Sequence, residues 1–261
     1  MIKKVKHSLK IKTLLVFITI LSITSIINPL VEVEAQKSSE DPPRDINVMI
    51  LIASGVGITY FNATEIFESW GWTITIAGVS ATISSCHRND PEIINSDILI
   101  SDVDWYILQQ YDCIFIPSGG HWDALSSYEP TLELISTAYY SGLIISSLCV
   151  GLRVLARANI VSGVNIARDV NSEAYIEESG GILVDEPVVS DKRIVTGGSG
   201  GGLYGGGASV APLNETCRAI AQTLTIRDFS RILTIGIALG FISCEILVAL
   251  LYKHLKRTKN R

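Results

Sequence analysis

Short apolar runs alternate with stretches of helical spacing between Ile46 and Leu224. "INVMILIAS" (46–54) is a continuous, β-branched apolar run and predicts a strand buried on both faces. "NATEIFESWGW" (62–72) has helical spacing, and "TITIAGV" (73–79) is the next strand. "YDCIFIPSGG" (111–120) is a third strand closed by a Gly-Gly turn, followed by a helix near Thr131–Tyr140. "GLIISSL" (142–148) is a fourth, followed by Cys149 and a helix over about Val150–Ala158. "EPVVSDKRIVTGG" (186–198) is strand, turn and strand, and "SVAPLNETCRAIAQTL" (209–224) is a last amphipathic helix.

Strands alternating with helices imply an α/β fold with a mainly parallel central sheet. Sites in such sheets form where strand C-terminal ends meet the following helices. Gly57, the Ser118–Gly120 turn and Cys149 all fall at such ends. The glycine-rich stretch 196–207 lacks the Lys-Ser/Thr of a phosphate loop and reads as a flexible loop.

The chain's ends follow another pattern. Lys3, Lys4, Lys6, Lys10 and Lys12 precede an uncharged apolar run, Thr13–Val31. The second run, Ile232–Tyr252, is apolar apart from Glu245 and is followed by Lys253, Lys256, Arg257, Lys259 and Arg261. Its length matches the ~20 residues a helix needs to cross the hydrocarbon core. The expected organisation is therefore a signal peptide or N-terminal membrane anchor at 1–35 and a linker at 36–45. An α/β domain at 46–225, a transmembrane helix at 232–252 and a basic cytoplasmic tail at 253–261 complete it. Five cations after the second run, against Arg227 and Arg231 before it, place the tail in the cytoplasm and the domain on the extracytoplasmic side of the cell membrane. "GIALG" (236–240) is a GxxxG pattern suited to helix pairing, hence to a homodimer.

Residues 36–231 carry 11 Lys and Arg against 23 Asp and Glu, a net charge of −12. That balance argues against nucleic acid as a partner, because phosphates require a cationic face. Cys86, Cys113, Cys149 and Cys217 show neither CxxC nor zinc spacing, so neither a metal nor another cofactor is expected.

Cys149 marks a junction. A tight turn between strand and helix lifts a side chain off the sheet and aims it into the crevice. Unpaired N–H groups at the start of a helix favour thiolate and can hold an oxyanion. The same pattern also fits a buried structural thiol.

The blocks "DVDWYILQQYDCIFIPSGG" (102–120), "SSLCVGLRVLARANIVSG" (146–163) and "VDEPVVSDKRIVTGG" (184–198) resemble, in order and spacing, the ThiJ/PfpI family of the class I glutamine amidotransferase-like superfamily. The resemblance implies a flavodoxin-like three-layer sandwich with Cys149 as nucleophile and the backbone N–H groups of Gly120 and Val150 as oxyanion site. It also implies a tendency to dimerise. Its members include deglycases, glyoxalase-like lyases, proteases, isonitrile hydratases and chaperones.

The sequence departs from that pattern in three places. Val150 stands where many members have a histidine after the cysteine. The first strand–helix loop, "GVGITYFNA" (55–63), lacks the usual carboxylate, and Tyr60 falls nearest its position. "ARDVN" (167–171) follows the elbow helix, with Asp169 the nearest polar candidate. His121 is the one histidine that the family geometry would bring near Cys149, either as a base or as a solvent-exposed loop residue. The expected function is cysteine-dependent hydrolase or lyase chemistry on a small carbonyl or related electrophile, with a small molecule or peptide in the crevice. The alternative is a catalytically silent binding, sensing or chaperone-like domain.

Overall fold

The computed structural model describes residues 42–43, 45–86, 91–198, 212–228 and 230. All elements discussed below lie in one compact unit that begins at Pro43. Both apolar terminal runs, the GxxxG pattern and most of the glycine-rich stretch lie outside the described residues. Among the described residues no helix is long and apolar enough to cross a membrane.

In chain order the strands are β1 (Asn47–Ile52), β2 (Thr73–Gly78), β3 (Thr82–Ser84), β4 (Ile93–Asn95), β5 (Ile98–Leu99), β6 (Cys113–Ile116), β7 (Ile144–Leu148), β8 (Asn165–Ala167), β9 (Ile182–Val184), β10 (Val188–Asp191) and β11 (Ile194–Gly197). The helices are α1 (Ile58–Ser69), α2 (Trp105–Leu108), α3 (Trp122–Ser127), α4 (Glu129–Tyr140), α5 (Leu152–Arg157), α6 (Glu173–Glu178) and α7 (213–228). Seven strands form the central sheet in the order β10-β11-β7-β6-β1-β2-β5. Every pairing in it is parallel except β10 with β11, which is antiparallel.

The uninterrupted apolar run of β1 has its reason in this topology. Met49 and Leu51 point into one core with Ile114, Ile116, Ile145, Ile135 and Leu155, beneath α4 and α5. Val48, Ile50 and Ile52 point into the other with Phe115, Phe67, Ile220 and Leu224, beneath α1 and α7. A strand covered on both faces has no polar side to show. The second core is aromatic: Phe67 stacks on Trp72 (5.1 Å) and meets Phe115 edge-on (5.5 Å).

Local signals set the boundaries. Asp104 caps α2 by accepting a hydrogen bond from the Ile107 N–H (2.9 Å). Pro130 stands in the first turn of α4, where its missing N–H costs no helical bond. The expected strands, the helix before Tyr140 and the final helix are all present. The helix after the elbow differs: Cys149–Gly151 form a 3₁₀ turn, and α5 begins only at Leu152.

Candidate active site

The site lies where the C-terminal ends of β6 and β7 meet the loop after β1. Three backbone segments approach closely here. The Gly57 N–H donates to the Ser118 carbonyl (3.1 Å), and Thr59 Oγ1 both accepts from the Ser118 N–H (2.9 Å) and donates to the Ser118 carbonyl (3.1 Å). Gly119 has φ of +151°, and a Cβ on it would stand 2.5 Å from the Gly57 nitrogen. Only glycine fits there, which is why the turn after β6 reads Ser-Gly-Gly.

Cys149 has φ of +51°, a left-handed conformation that non-glycine residues rarely hold. Strain of this kind, of order 1–3 kcal/mol, persists where surrounding structure imposes it and concentrates at functional sites. The turn places the sulfur against polar groups. The Ser118 hydroxyl, the Val150 N–H and Asp169 are near enough to act on it. Asp169 is fully buried, and its Oδ2 accepts from Ser172 Oγ (2.9 Å), a hydroxyl that also lies 3.2 Å from the Cys149 carbonyl. Cys149, Asp169 and Ser172 thus form one connected cluster.

That environment corrects the expectation of a favoured thiolate. The Cys149 thiol is pushed above its ordinary pKa, first by burial and then by the negative charge of Asp169. The Ser118 hydroxyl and Val150 N–H act the other way and are outweighed. The helix contributes less than expected because α5 starts three residues past the sulfur and has only six residues. At neutral pH the resting sulfur is a thiol beside Asp169.

His121 is not the exposed loop residue that the sequence suggested. It is fully buried, with Nδ1 accepting from the Ala53 N–H (3.3 Å) and Nε2 2.8 Å from the Pro117 carbonyl, to which it donates. Both ring nitrogens are engaged, and burial lowers its pKa to about 4 against a small opposing effect of the Pro117 bond. The imidazole ties the loop after β1 to the turn after β6.

Tyr60 is buried in the aromatic core with Val56 and Ile83, its ring edge-on to Phe61 (5.0 Å). Burial raises its pKa, followed by the charge of Asp97. It is not among the groups that act on the Cys149 thiol. Of the residues singled out in the sequence, the fold brings Cys149, Val150 and Asp169 together, with Gly120 two residues past Ser118 on the same turn.

Ser172 and Arg153 were not singled out in the sequence, and Ser118 entered there only as part of the turn. Arg153 lies over the Trp122 ring (4.3 Å) and the Tyr175 ring (4.9 Å), and its Nη2 donates to the Asn171 carbonyl. It clamps the Asp169–Ser172 loop onto α5. The only sequence signal for that contact is the coincidence of an arginine one turn past the elbow with aromatics at 122 and 175.

The DJ-1/PfpI family model matches residues 47–204. Among solved structures the chain is similar to a ThiJ/PfpI domain protein from Brachyspira murdochii, at 19% identity and a TM-score of 0.59, covering 70% of this chain and 98% of that one. It is also similar to DJ-1beta from Drosophila melanogaster, at 18% identity and a TM-score of 0.57, over 73% and 98% of the two chains. A putative protease I from Bacteroides thetaiotaomicron matches at 17% identity and a TM-score of 0.56, over 69% and 99%. No curated protein matches the sequence. The doubly covered parallel sheet, the Ser-Gly-Gly turn and the strained cysteine between β7 and α5 agree with the matched span, and the chain belongs to the DJ-1/PfpI family.

Proposed function

We propose that the domain performs cysteine-dependent chemistry on a small carbonyl compound, with Cys149 as nucleophile and Asp169 as its proton acceptor. The observation that carries this reading is a strained, buried cysteine joined through the Ser172 hydroxyl to a buried carboxyl group, that of Asp169. The carboxylate that the first strand–helix loop lacks is supplied by the loop after β8. General-base help of this kind is worth ~10²–10⁴-fold in rate.

The step balances without a further reactant at the aldehyde level. Sulfur bonds to the carbonyl carbon while the thiol proton passes to Asp169. The carbonyl oxygen, facing the N–H groups of Val150 and Gly120, then takes that proton to give a hemithioacetal. With an amide or ester, departure of the amine or alcohol leaves a thioester that water opens. Holding the resting sulfur as thiol limits its oxidation and releases the nucleophile only as substrate accepts the bond. The putative protease among the structural relatives is consistent with the amide case.

The same reading places the domain outside the cytoplasmic membrane, tethered by residues 232–252, whose length and flanking charges support a span. A second reading, a silent ligand-binding domain in the same crevice, is favoured by the raised thiol pKa and the low exposure of Cys149 (6%).

The test is turnover of an aldehyde, amide and isonitrile panel by the full chain in vesicles, with mass analysis of Cys149 and the Cys149→Ser variant as control. Turnover that disappears in the variant, with a substrate-sized mass on Cys149, supports catalysis. Binding of panel compounds equally by both forms with no turnover establishes the silent domain instead.

A further inference from the structure

The opposite edge of the sheet carries a surface that this chemistry leaves unused. Trp105 is 49% exposed, Tyr106 78%, Tyr140 73% and Ile226 65%. Trp105 lines a depression of about 270 Å³ together with Ser141 and Arg227, the residues that directly follow Tyr140 and Ile226. Asp112 and Leu143, which directly precede β6 and β7, line the same depression, so the segments carrying these apolar residues meet at the N-terminal ends of β6 and β7.

Arg227 pins α7 there. Its Nη2 lies 2.6 Å from Asp112 Oδ1, and its Nη1 donates to the Asp112 carbonyl (3.1 Å). The apolar run begins only five residues later, at Ile232. Five residues reach ~7.5 Å as helix and ~18 Å fully extended. The headgroup zone of one leaflet is ~5–8 Å thick, being half the difference between the full bilayer and its hydrocarbon core. Carried on as the helix that α7 forms up to Asp228, those five residues span about the headgroup zone and bring this end of the sheet against it.

We propose that the Trp105, Tyr106, Tyr140 and Ile226 edge rests in the headgroup zone of the leaflet that residues 232–252 enter, an inference that depends on the anchored reading. Tyrosine and tryptophan have an apolar body and a polar tip, the combination that settles at this depth. Attraction to anionic lipid is not needed as the driver. Arg227 is neutralised by Asp112 and Asp228, and Asp104 and Glu133 line the groove on the other side of Trp105. The docking is aromatic and insensitive to salt, unlike a polybasic contact. With β1 rising ~3.3 Å per residue over its six residues, Cys149 is then held ~20 Å farther from the lipid.

The experiment is tryptophan quenching in the full chain, reconstituted into phosphatidylcholine vesicles with bromine on the acyl carbons nearest the headgroup. The wild type is expected to lose a share of emission that Trp105→Phe does not lose, equally at 0.05 and 0.5 M salt as orders of magnitude bracketing the screening range. Equal fractional quenching of the two forms, in vesicles that retain the chain through alkaline extraction, overturns the docked edge and leaves the anchor standing. Loss of the chain from vesicles during that extraction overturns the anchor and the docked edge with it. Because Trp105 is half exposed, its replacement leaves the fold in place, and an unchanged thermal midpoint verifies this.

Discussion

At the C-terminal ends of β6 and β7 the backbone takes conformations that most residues avoid, and the groups it presents are poised against one another: a thiol beside a carboxyl group, a histidine with neither nitrogen free. At the N-terminal ends of the same strands the polar groups are satisfied by an ion pair. Asp112 accepts from Arg227 and caps the start of β1 through the Asn47 N–H (3.1 Å), and the exposed side chains are aromatic. One sheet thus separates an end that holds a strained cysteine beside a buried carboxyl from an end that exposes aromatic side chains. Perturbations at the first should change reactivity and pH response, whereas those at the second should change only stability and surface behaviour.

The largest expected effect is at Asp169. Replacing it by asparagine removes the negative charge that raises the Cys149 pKa, so alkylation of Cys149 by iodoacetamide at neutral pH should become faster. Turnover of whichever panel substrate is found should nevertheless fall ~10²–10⁴-fold, because the proton acceptor is gone. A parallel rise in both would show that Asp169 merely restrains the thiol.

Next comes acid sensitivity. His121 titrates at about 4 in the fold and near its ordinary 6.5 when unfolded, so between these values the unfolded chain binds the extra proton. Stability is therefore full above pH 6.5 and lost as pH falls toward 4, by about 3 kcal/mol in all. Urea midpoints measured across that window should drop steeply in the wild type and much less in His121→Gln.

Gly119→Ala forces a Cβ against the Gly57 nitrogen at 2.5 Å and the Gly55 carbonyl oxygen at 2.9 Å. A loss of about 1–3 kcal/mol is expected from such overpacking, with Cys149 alkylation altered as the turn shifts. At the opposite edge Arg227→Met removes charge-assisted hydrogen bonds worth about 1–2 kcal/mol, and the pH dependence of Cys149 alkylation should stay as in the wild type. A changed alkylation profile in that variant would mean the two edges are coupled.

Much of the fold is legible in the sequence because a doubly covered sheet has a simple signature. The segments at 46–54, 111–120 and 142–148 each hold an apolar run without alternation, and each contains a central strand. The short elements are not legible: β3, β4, β5, β8 and β9 have two or three residues each, too few for any period to show. The cysteine's position at a strained turn could be read from its place between an apolar run and a glycine. The state of its sulfur could not, since it depends on Asp169, twenty residues away in sequence and brought close only by the return of the chain through β8. His121 shows the same limit. A histidine after Gly-Gly looks like a loop residue, and its burial is decided by the Ala53 N–H and Pro117 carbonyl that converge on its ring.

The margins of the sheet carry a further implication. On one side it finishes in β5, a strand of two residues; on the other it finishes in the reversed strand β10, where the Asn165 N–H donates to Asp191 (2.8 Å) and brings β8 alongside. Among the described residues neither flank offers a long row of unpaired peptide groups on which a neighbour could build another strand. Copies of this domain brought together at high concentration would meet by their side chains without joining through their backbones.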